Sequence, residues 1–299
     1  MASKYTRESI THAPKAPSRC ILVYGQPKVG KTTLAADAPG VLFLPVESGL
    51  DEFDVPRLPK PESFDEVIEA LDFVASDPTG VQYLVVDTID QLETLIHRAM
   101  CGTKYASVED WGGGYNKWRR GALAWWLKFL AAIDRVRARG LHVVLIGHSI
   151  VAGFKDPESD GWDRYALKIE PKAAGLLTGY VDAILFARHE DLRAKDDGGR
   201  ARGVSSGKRF VQCSHTAAAE AGNRLGLPDR LPLGELHPWA PIHTAILGES
   251  AESLRAQISE AAKGLEDEAK IVAHAAKVTD RAKLRSVLRL VQSQKKEAA

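Results

Sequence analysis

The chain has few cysteines, no long apolar run and almost no net charge, and each absence excludes a class of protein. The three cysteines lie far apart in the 299 residues without a CxxC pair, so we expect neither a disulfide framework nor a zinc site, and a reducing cytoplasm. No run of about 18 apolar residues occurs, which argues against a membrane span. The first twenty residues lack the apolar segment of a signal peptide. Because the formal net charge is only +1, any nucleic-acid surface must be local.

What the chain does contain is a series of short apolar runs that alternate with helical patterns. The runs predict buried strands at 20–24, 41–44, 83–87, 141–146 and 181–187. Helical spacing covers 63–76, 89–100 and 118–139. This alternation predicts an α/β fold with a mainly parallel central sheet flanked by helices.

Two further segments extend this pattern. Residues 188–213 predict a β-hairpin with its turn at 196–199, and the composition after residue 249 predicts a tail of two or three helices. We therefore expect a flexible lead-in at 1–18, a main domain at 19–248 and a helical extension at 249–299.

A glycine-rich turn between the first strand and the first helix matches the pattern GxxxxGK[ST] in full. It consists of Gly25, Gln26, Pro27, Lys28, Val29, Gly30, Lys31 and Thr32, and Thr33 continues into the helix. Gly25 and Gly30 are expected to permit the backbone angles that turn N–H groups toward phosphates. Lys31 sets an ammonium group against the β- and γ-phosphates, and the helix N-terminus adds its positive end. This loop predicts ATP binding.

A magnesium site and a water-activating carboxylate are expected at the same edge of the sheet. Thr32 offers its hydroxyl to Mg²⁺, and Asp87, at the end of the third strand, approaches from the opposite side. Thr88 follows Asp87 where many P-loop ATPases carry a glutamate, so the base must come from elsewhere. Glu47, just past the second strand, is the candidate to orient the attacking water, with an ordinary loop role as the alternative.

This combination resembles the RecA-fold recombinase ATPases, which place a catalytic glutamate after the second strand and a small hydroxyl residue after the Walker B aspartate. Over about residues 19–240 the chain is more closely similar to the phage-encoded AAA-type ATP-binding proteins related to RecA, some of which act in single-strand annealing or recombination. The resemblance implies a RecA-like ATPase core, ATP and Mg²⁺ as ligands, and the host cytoplasm as location. It also implies that His148 senses the γ-phosphate at the end of the fourth strand. Recombinases usually have glutamine there, and a structural strand-end histidine is the alternative.

The same resemblance implies single-stranded DNA and further copies of this chain as partners, with ATP at the subunit interfaces of a ring or filament. Arg224 is the candidate arginine finger donated by a neighbour; a simple loop cation, Arg188 and Lys172 are alternatives. In RecA-like proteins the loop after the sensor strand, here 150–170, faces the DNA. Its candidate contacts are Phe154, Lys155, Trp162, Arg164, Tyr165 and Lys168, where aromatic rings stack on bases and cations meet phosphates.

The charges of this loop and of two other segments leave the DNA prediction open. In the loop three cations face five acids, whereas the predicted hairpin at 188–213 has seven basic and four acidic residues. Residues 277–296 carry seven basic residues and one acid. These basic segments supply the electrostatic part of DNA binding or are solvated surfaces.

Two functional hypotheses follow. The first is an ATPase, stimulated by DNA, that binds single-stranded DNA and supports phage-type recombination or annealing, with a phage single-strand binding protein as a further partner. The second is a nucleotide-dependent switch or loader that recruits a replication or recombination partner without pairing DNA. A small-molecule kinase has little support, because no arginine-rich lid is evident.

Overall fold

The computed structural model describes residues 18–156, 158, 160–195, 201–234, 236–247, 251–265, 267–279 and 281–297. The chain divides into two units, Met1–Pro241 and Ile242–Ala299. Strands and helices alternate in the first unit, and the second unit is helical. The α/β class and the helical C-terminal segment are therefore confirmed.

The first unit is built from strands β1 to β9 and helices α1 to α5, and α6 spans the division between the units. Its strands are β1 (Cys20–Gly25), β2 (Val41–Pro45), β3 (Tyr83–Asp87), β4 (His142–Phe154), β5 (Trp162–Leu167), β6 (Ala183–Lys195), β7 (Ala201–Gln212), β8 (Gly222–Asn223) and β9 (Arg230–Leu233). Its helices are α1 (Lys31–Ala36), α2 (Phe64–Ser76), α3 (Ile89–Cys101), α4 (Lys117–Ala138), α5 (Pro171–Tyr180) and the start of α6 (Ala240–Leu247), with a 3₁₀ turn at Val108–Gly113.

These strands form one sheet whose centre is parallel, as predicted. The order is β2-β3-β4-β1-β6-β7-β9, with β5 paired to β4 and β8 paired to β6. The strands from β2 to β6 in this order run parallel to their neighbours, and β7 and β9 continue the sheet antiparallel. Because β4 lies between β1 and β3, the carboxyl ends of these strands meet at one edge, with Gly25 opposite His148 and Asp87 opposite Ile146.

Apolar side chains at helical spacing hold the flanking helices on the sheet. In α2 the buried residues are Phe64, Val67, Leu71 and Val74, and the Ser63 hydroxyl caps the helix by accepting a hydrogen bond from the Glu66 N–H. In α4 the fully buried side chains include Trp126 and Phe129. These contacts hold the helices against the sheet. They thereby help to fix the positions of the strand ends, where the candidate site lies.

Two strands extend farther than the sequence predicts. The fourth strand does not end at His148 but continues to Phe154, where it pairs antiparallel with β5 from Ser149↔Leu167 to Phe154↔Trp162. Most of the segment 150–170 expected as a loop is therefore a β-hairpin. The fifth strand likewise continues into the predicted hairpin, β6–β7, whose expected turn at 196–199 lies outside the described residues.

The second unit contains α7 (Ala251–Ala262), α8 (Glu268–Lys277) and α9 (Arg281–Glu297). They pack around a small apolar core of Leu254, Ile258, Ala275, Leu284 and Leu288. Within the described part of the chain, no helix combines the length and the apolar character needed to cross a membrane.

Candidate functional site

The phosphate loop joins the carboxyl end of β1 to α1, and its two glycines are needed for different reasons. Gly30 has a φ of 103°, a left-handed conformation that side chains disfavour, as expected. Gly25 does not have a positive φ. A Cβ there would lie 2.1 Å from the backbone oxygen of Ala187 on the neighbouring strand β6. The expected backbone-angle role of Gly25 is therefore corrected to close packing, whereas Lys28 adopts the second left-handed conformation of the loop, with a φ of 62°.

Lys31, the first residue of α1, is buried beneath the phosphate loop. Its Nζ donates hydrogen bonds to the carbonyl oxygens of Gly25 at 3.2 Å and Gln26 at 2.9 Å. Burial lowers the pKa of Lys31, although nearby carboxylates act in the opposite direction. The ammonium group is thus held inside the loop at the position where a phosphate chain would meet it.

Thr32 and Asp87 face each other across the end of the sheet. The Thr32 hydroxyl donates to Oδ2 of Asp87 at 2.9 Å. The other oxygen, Oδ1, is buried and has no hydrogen-bond partner among the described residues. Burial raises the pKa of Asp87 to about 6, although the hydrogen bond from Thr32 lowers it. A buried, unpartnered carboxylate oxygen beside a hydroxyl fits Mg²⁺, which prefers oxygen ligands.

Glu47 is fixed beside this pair by the residue that follows Asp87. The Thr88 hydroxyl donates to Oε2 of Glu47 at 2.9 Å. The backbone N–H groups of Val46 and Glu47 both donate to the Asp87 carbonyl, at 2.7 and 3.0 Å. The end of β2 is therefore hydrogen-bonded to the end of β3. The hydroxyl of Thr88 orients the Glu47 carboxylate, which explains why a small hydroxyl residue fits this position.

His148 is held by Asp90, a residue that the sequence analysis missed. The Asp90 carboxylate lies 3.0 Å from Nδ1 of His148 and accepts the His148 backbone N–H at 3.1 Å. Burial would raise the pKa of Asp90, but the hydrogen bonds and charge of His148 lower it overall. Glu47, Asp90 and His148 bring ligand atoms within 4.8 Å of one another. In the sequence, the feature that indicates a role for Asp90 is its position in the first turn of the helix that follows Asp87.

The phosphate loop, Glu47, Asp87 and His148 line one cleft of about 750 Å³. Arg209 of β7 lines it as well, and its Nη1 donates to the carbonyl oxygen of Val29 in the phosphate loop at 3.3 Å. The sequence places Arg209 only in a charged hairpin. Its proximity to the loop follows from the pairing of β7 with β6, which no local motif reveals.

The remaining candidate residues lie away from this cleft. Arg224 is exposed after β8, and its N–H donates to the Asp182 carbonyl at 3.2 Å, just before β6 begins. The phosphate loop follows Gly25, which is paired with Ala187 farther along β6. Arg224 is therefore at the amino edge of the sheet, opposite the edge that carries its own phosphate loop.

The candidate DNA contacts lie on the β4–β5 hairpin, defined here as residues 149–167, except for Lys168, which directly follows it. The rings of Phe154 and Trp162 are 5.1 Å apart, and the Arg164 guanidinium lies 3.9 Å from the centre of Phe154. Tyr165 is partly buried and packs against Phe186 of β6 at 5.0 Å. Lys155 and Lys168 are exposed. The hairpin thus brings three of the predicted side chains into one cluster.

A family model described as an AAA domain matches residues 18–225. Among solved structures, a KaiC-like protein from the hyperthermophilic archaeon Pyrococcus horikoshii OT3 is similar, with 10% sequence identity and a TM-score of 0.36. That similarity covers 72% of this chain and 85% of the archaeal one. No curated protein matches the chain.

Proposed function

The chain belongs to the AAA domain family of P-loop ATPases, and from this premise we propose that it binds ATP in the cleft below the phosphate loop and hydrolyses it. Lys31 and the loop N–H groups bind the β- and γ-phosphates. Thr32 and Asp87 would hold Mg²⁺, which would neutralise charge on those phosphates.

One observation carries the hydrolytic proposal: the Glu47 carboxylate is fixed by Thr88 in the cleft that contains Lys31, Thr32 and Asp87. A carboxylate held there orients a water molecule toward the γ-phosphate and accepts its proton. His148, kept in place by Asp90, faces the same cleft and is proposed to contact the γ-phosphate.

The test is the hydrolysis rate of Glu47→Gln at saturating ATP and Mg²⁺. We expect turnover to fall by about 100-fold or more while ATP affinity stays within about twofold, because the amide keeps the shape but cannot accept the proton. Glu69→Gln, an exposed carboxylate of α2, is the matched control. Unchanged turnover of Glu47→Gln would remove Glu47 from this role.

The finer proposal is that ATP binding is coupled to single-stranded DNA at the β4–β5 hairpin. Strand β4 is continuous from His148 in the cleft to Phe154 in the hairpin, so one strand spans both regions. The Trp162 Nε1 donates to the Ala217 carbonyl at 2.8 Å, which fixes the ring beside Phe154 and Arg164. A fixed aromatic ring next to a cation is suited to sequence-tolerant stacking on bases.

The exposed acids of the same hairpin favour the second candidate, a switch or loader that recruits a protein partner. Asp163 lies directly between Trp162 and Arg164, and Glu158 and Asp160 are exposed nearby. A gel-shift assay with single-stranded and duplex DNA, with and without a non-hydrolysable ATP analogue, separates the two candidates. Single-strand binding that weakens with salt supports the first, and its absence at low salt contradicts it.

Arg224 is proposed as a cation that a neighbouring copy donates to the γ-phosphate, in a ring or filament. Its exposure at the opposite edge of the sheet leaves it accessible to another subunit. Arg224→Ala should lower hydrolysis at high protein concentration without changing ATP affinity. Full activity of Arg224→Ala in assembled protein would contradict this assignment.

A further inference from the structure

Glu47 and His148, on the wall of the phosphate cleft, form a set of metal ligands together with Asp90. Glu47 follows β2, Asp90 lies in the first turn of α3, and His148 lies in β4. Each offers one ligand atom, and the three atoms lie within 4.8 Å of one another. Metal–ligand bonds are about 2.0–2.2 Å long, so two atoms bound to one ion are at most about 4.4 Å apart. A small inward movement of the side chains is therefore enough to close the set around an ion.

Asp90 and His148 already lie side by side, as two neighbouring ligands of one ion would. Oδ2 of Asp90 is 3.0 Å from Nδ1 of His148, and Oδ1 accepts the His148 backbone N–H at 3.1 Å. Neighbouring ligand atoms on an ion about 2.1 Å away are themselves about 3.0–3.4 Å apart. An ion can thus take the place of the proton between Oδ2 and Nδ1, because metal binding to such groups releases protons.

The charge around these ligands favours a cation. The Asp90 side chain is only 7% exposed, and a buried carboxylate is costly unless a positive charge compensates it. Among the described residues, no lysine or arginine forms an ion pair with Asp90 or Glu47. Glu47 is held by the neutral hydroxyl of Thr88. A bound divalent ion would compensate both carboxylates.

The type of ligand distinguishes this set from the proposed magnesium site. Thr32 and Asp87 offer oxygen atoms only, which suit Mg²⁺. The imidazole of His148 adds a nitrogen ligand, which suits Zn²⁺ and other first-row transition metals better than Mg²⁺. Three protein ligands with a further position open to water are also a common arrangement for zinc. The cleft therefore has ligands for two different cations.

We propose that Glu47, Asp90 and His148 bind a transition-metal ion, with Zn²⁺ as the best fit, and that this ion inhibits ATP hydrolysis. It binds in addition to the Mg²⁺ of the proposed ATP site. It inhibits because it occupies the Glu47 carboxylate, which can then no longer accept a proton from water. The metal site follows from the ligand geometry, whereas the inhibition rests on the proposed function.

The first test is calorimetry of the full chain with Zn²⁺ as the titrant, in excess Mg²⁺ and without nucleotide. We expect the unmodified protein to bind Zn²⁺, and His148→Gln and Asp90→Asn to bind it about 10- to 100-fold more weakly. His215→Gln, at an exposed histidine that does not line the cleft, is the matched control. Its affinity should stay within about twofold of the unmodified protein.

Two results of this titration would overturn the site. One is an unmodified protein that does not bind Zn²⁺ in excess Mg²⁺. The other is equal affinity in the unmodified protein, His148→Gln and Asp90→Asn, which would place the ion elsewhere in the chain.

Crystals of the unmodified protein grown with Zn²⁺ keep the site testable if the variants do not fold. A peak of anomalous scattering between Glu47, Asp90 and His148 is the expected result. Anomalous peaks found only elsewhere in the chain would contradict the site.

The inhibition has its own measurement, which is ATP hydrolysis at saturating ATP and Mg²⁺ with buffered free Zn²⁺. We expect turnover to fall by about tenfold or more in the unmodified protein and in His215→Gln, and to recover when a zinc-selective chelator is added. Unchanged turnover at Zn²⁺ concentrations that fill the site would contradict the inhibition and leave the site standing. If the unmodified protein does not hydrolyse ATP at all, the proposed function and the inhibition fall together, whereas the calorimetry still decides the metal site.

Discussion

The phosphate cleft and the β4–β5 hairpin share strand β4 but hold their polar side chains in different ways. In the cleft, Thr32 is paired with the buried Asp87, and Glu47 with the buried Thr88, by hydrogen bonds between side chains from different elements. In the hairpin, the Phe154 ring contacts Trp162 and Arg164 on the neighbouring strand, and all three side chains remain partly exposed. A buried polar group can form hydrogen bonds only with its partner in the protein, whereas an exposed group can also form them with water. Substitutions should therefore have large effects in the cleft and small, salt-dependent effects in the hairpin.

The largest expected effect is on nucleotide binding in Lys31→Ala. The buried ammonium is the main positive charge beneath the loop, so its removal should weaken ATP binding by about 100-fold. Lys28→Ala, an exposed lysine of the same loop, is the control and should change Kd by less than about threefold. Calorimetry measures both. Equal losses at the two positions would remove the distinction between buried and exposed charge.

The next effect is on turnover in Thr88→Val, which keeps the shape of the side chain and removes its hydrogen bond to Glu47. We expect hydrolysis to slow by about 10- to 100-fold while ATP affinity is kept, because the carboxylate loses its orientation. Thr88→Ser should restore most of the rate. If serine fails to restore the rate, the hydroxyl alone does not explain the effect of Thr88, and its orienting role is contradicted.

The hairpin should respond more weakly. If the hairpin binds single-stranded DNA as proposed, Trp162→Ala should reduce that affinity by about 5- to 20-fold at low salt, with ATP affinity unchanged. Fluorescence anisotropy with a labelled oligonucleotide measures this, and Phe73→Ala, an exposed ring on α2, is the control. A loss of ATP binding in Trp162→Ala would mean that the two regions are not separate.

The smallest effect concerns Glu93, a partly buried carboxylate outside both regions, and tests whether burial of a charge lowers the stability of the fold. The Glu93 carboxylate accepts the backbone N–H of Glu170 at 3.0 Å, and burial raises the pKa of Glu93 from 4.5 to about 7. The folded state therefore binds more protons than the unfolded state between these pH values, and stability falls as pH rises through this window.

Glu93→Gln should accordingly raise the melting temperature by about 2–4 °C at pH 8, where the native carboxylate is charged, and by less at pH 5. Thermal unfolding of Glu93→Gln and of the exposed control Glu69→Gln measures the difference. An equal gain at both pH values would show that the charge of Glu93 is not the cause.

The sequence predicts the features that local patterns determine. The phosphate loop lies between a strand and a helix, as GxxxxGK[ST] requires, and buried runs such as 83–87 form parallel strands. Glu47 follows the second strand, and the parallel pairing of that strand with β3 brings it beside Asp87. In each case the pattern of a short stretch of sequence, a motif or an apolar run, carries the information.

What the sequence does not predict depends on pairing between distant segments. Arg209 reaches the phosphate loop only because β7 extends the sheet next to β6, and Asp90 matters only because β4 places His148 against α3. The extension of β4 beyond His148 depends on its antiparallel pairing with β5. The need for glycine at position 25 likewise comes from Ala187, more than 160 residues away.

The most direct test of the account is a double-mutant cycle on turnover with Glu47→Gln and Thr88→Val. If Thr88 acts by holding the Glu47 carboxylate for attack of water on ATP, the loss caused by Thr88→Val should largely disappear when Glu47 is already glutamine. We predict that the double variant is no slower than Glu47→Gln alone, within about twofold. Losses that multiply would show that Thr88 and Glu47 act independently, and would contradict the assignment of Glu47 as the oriented carboxylate.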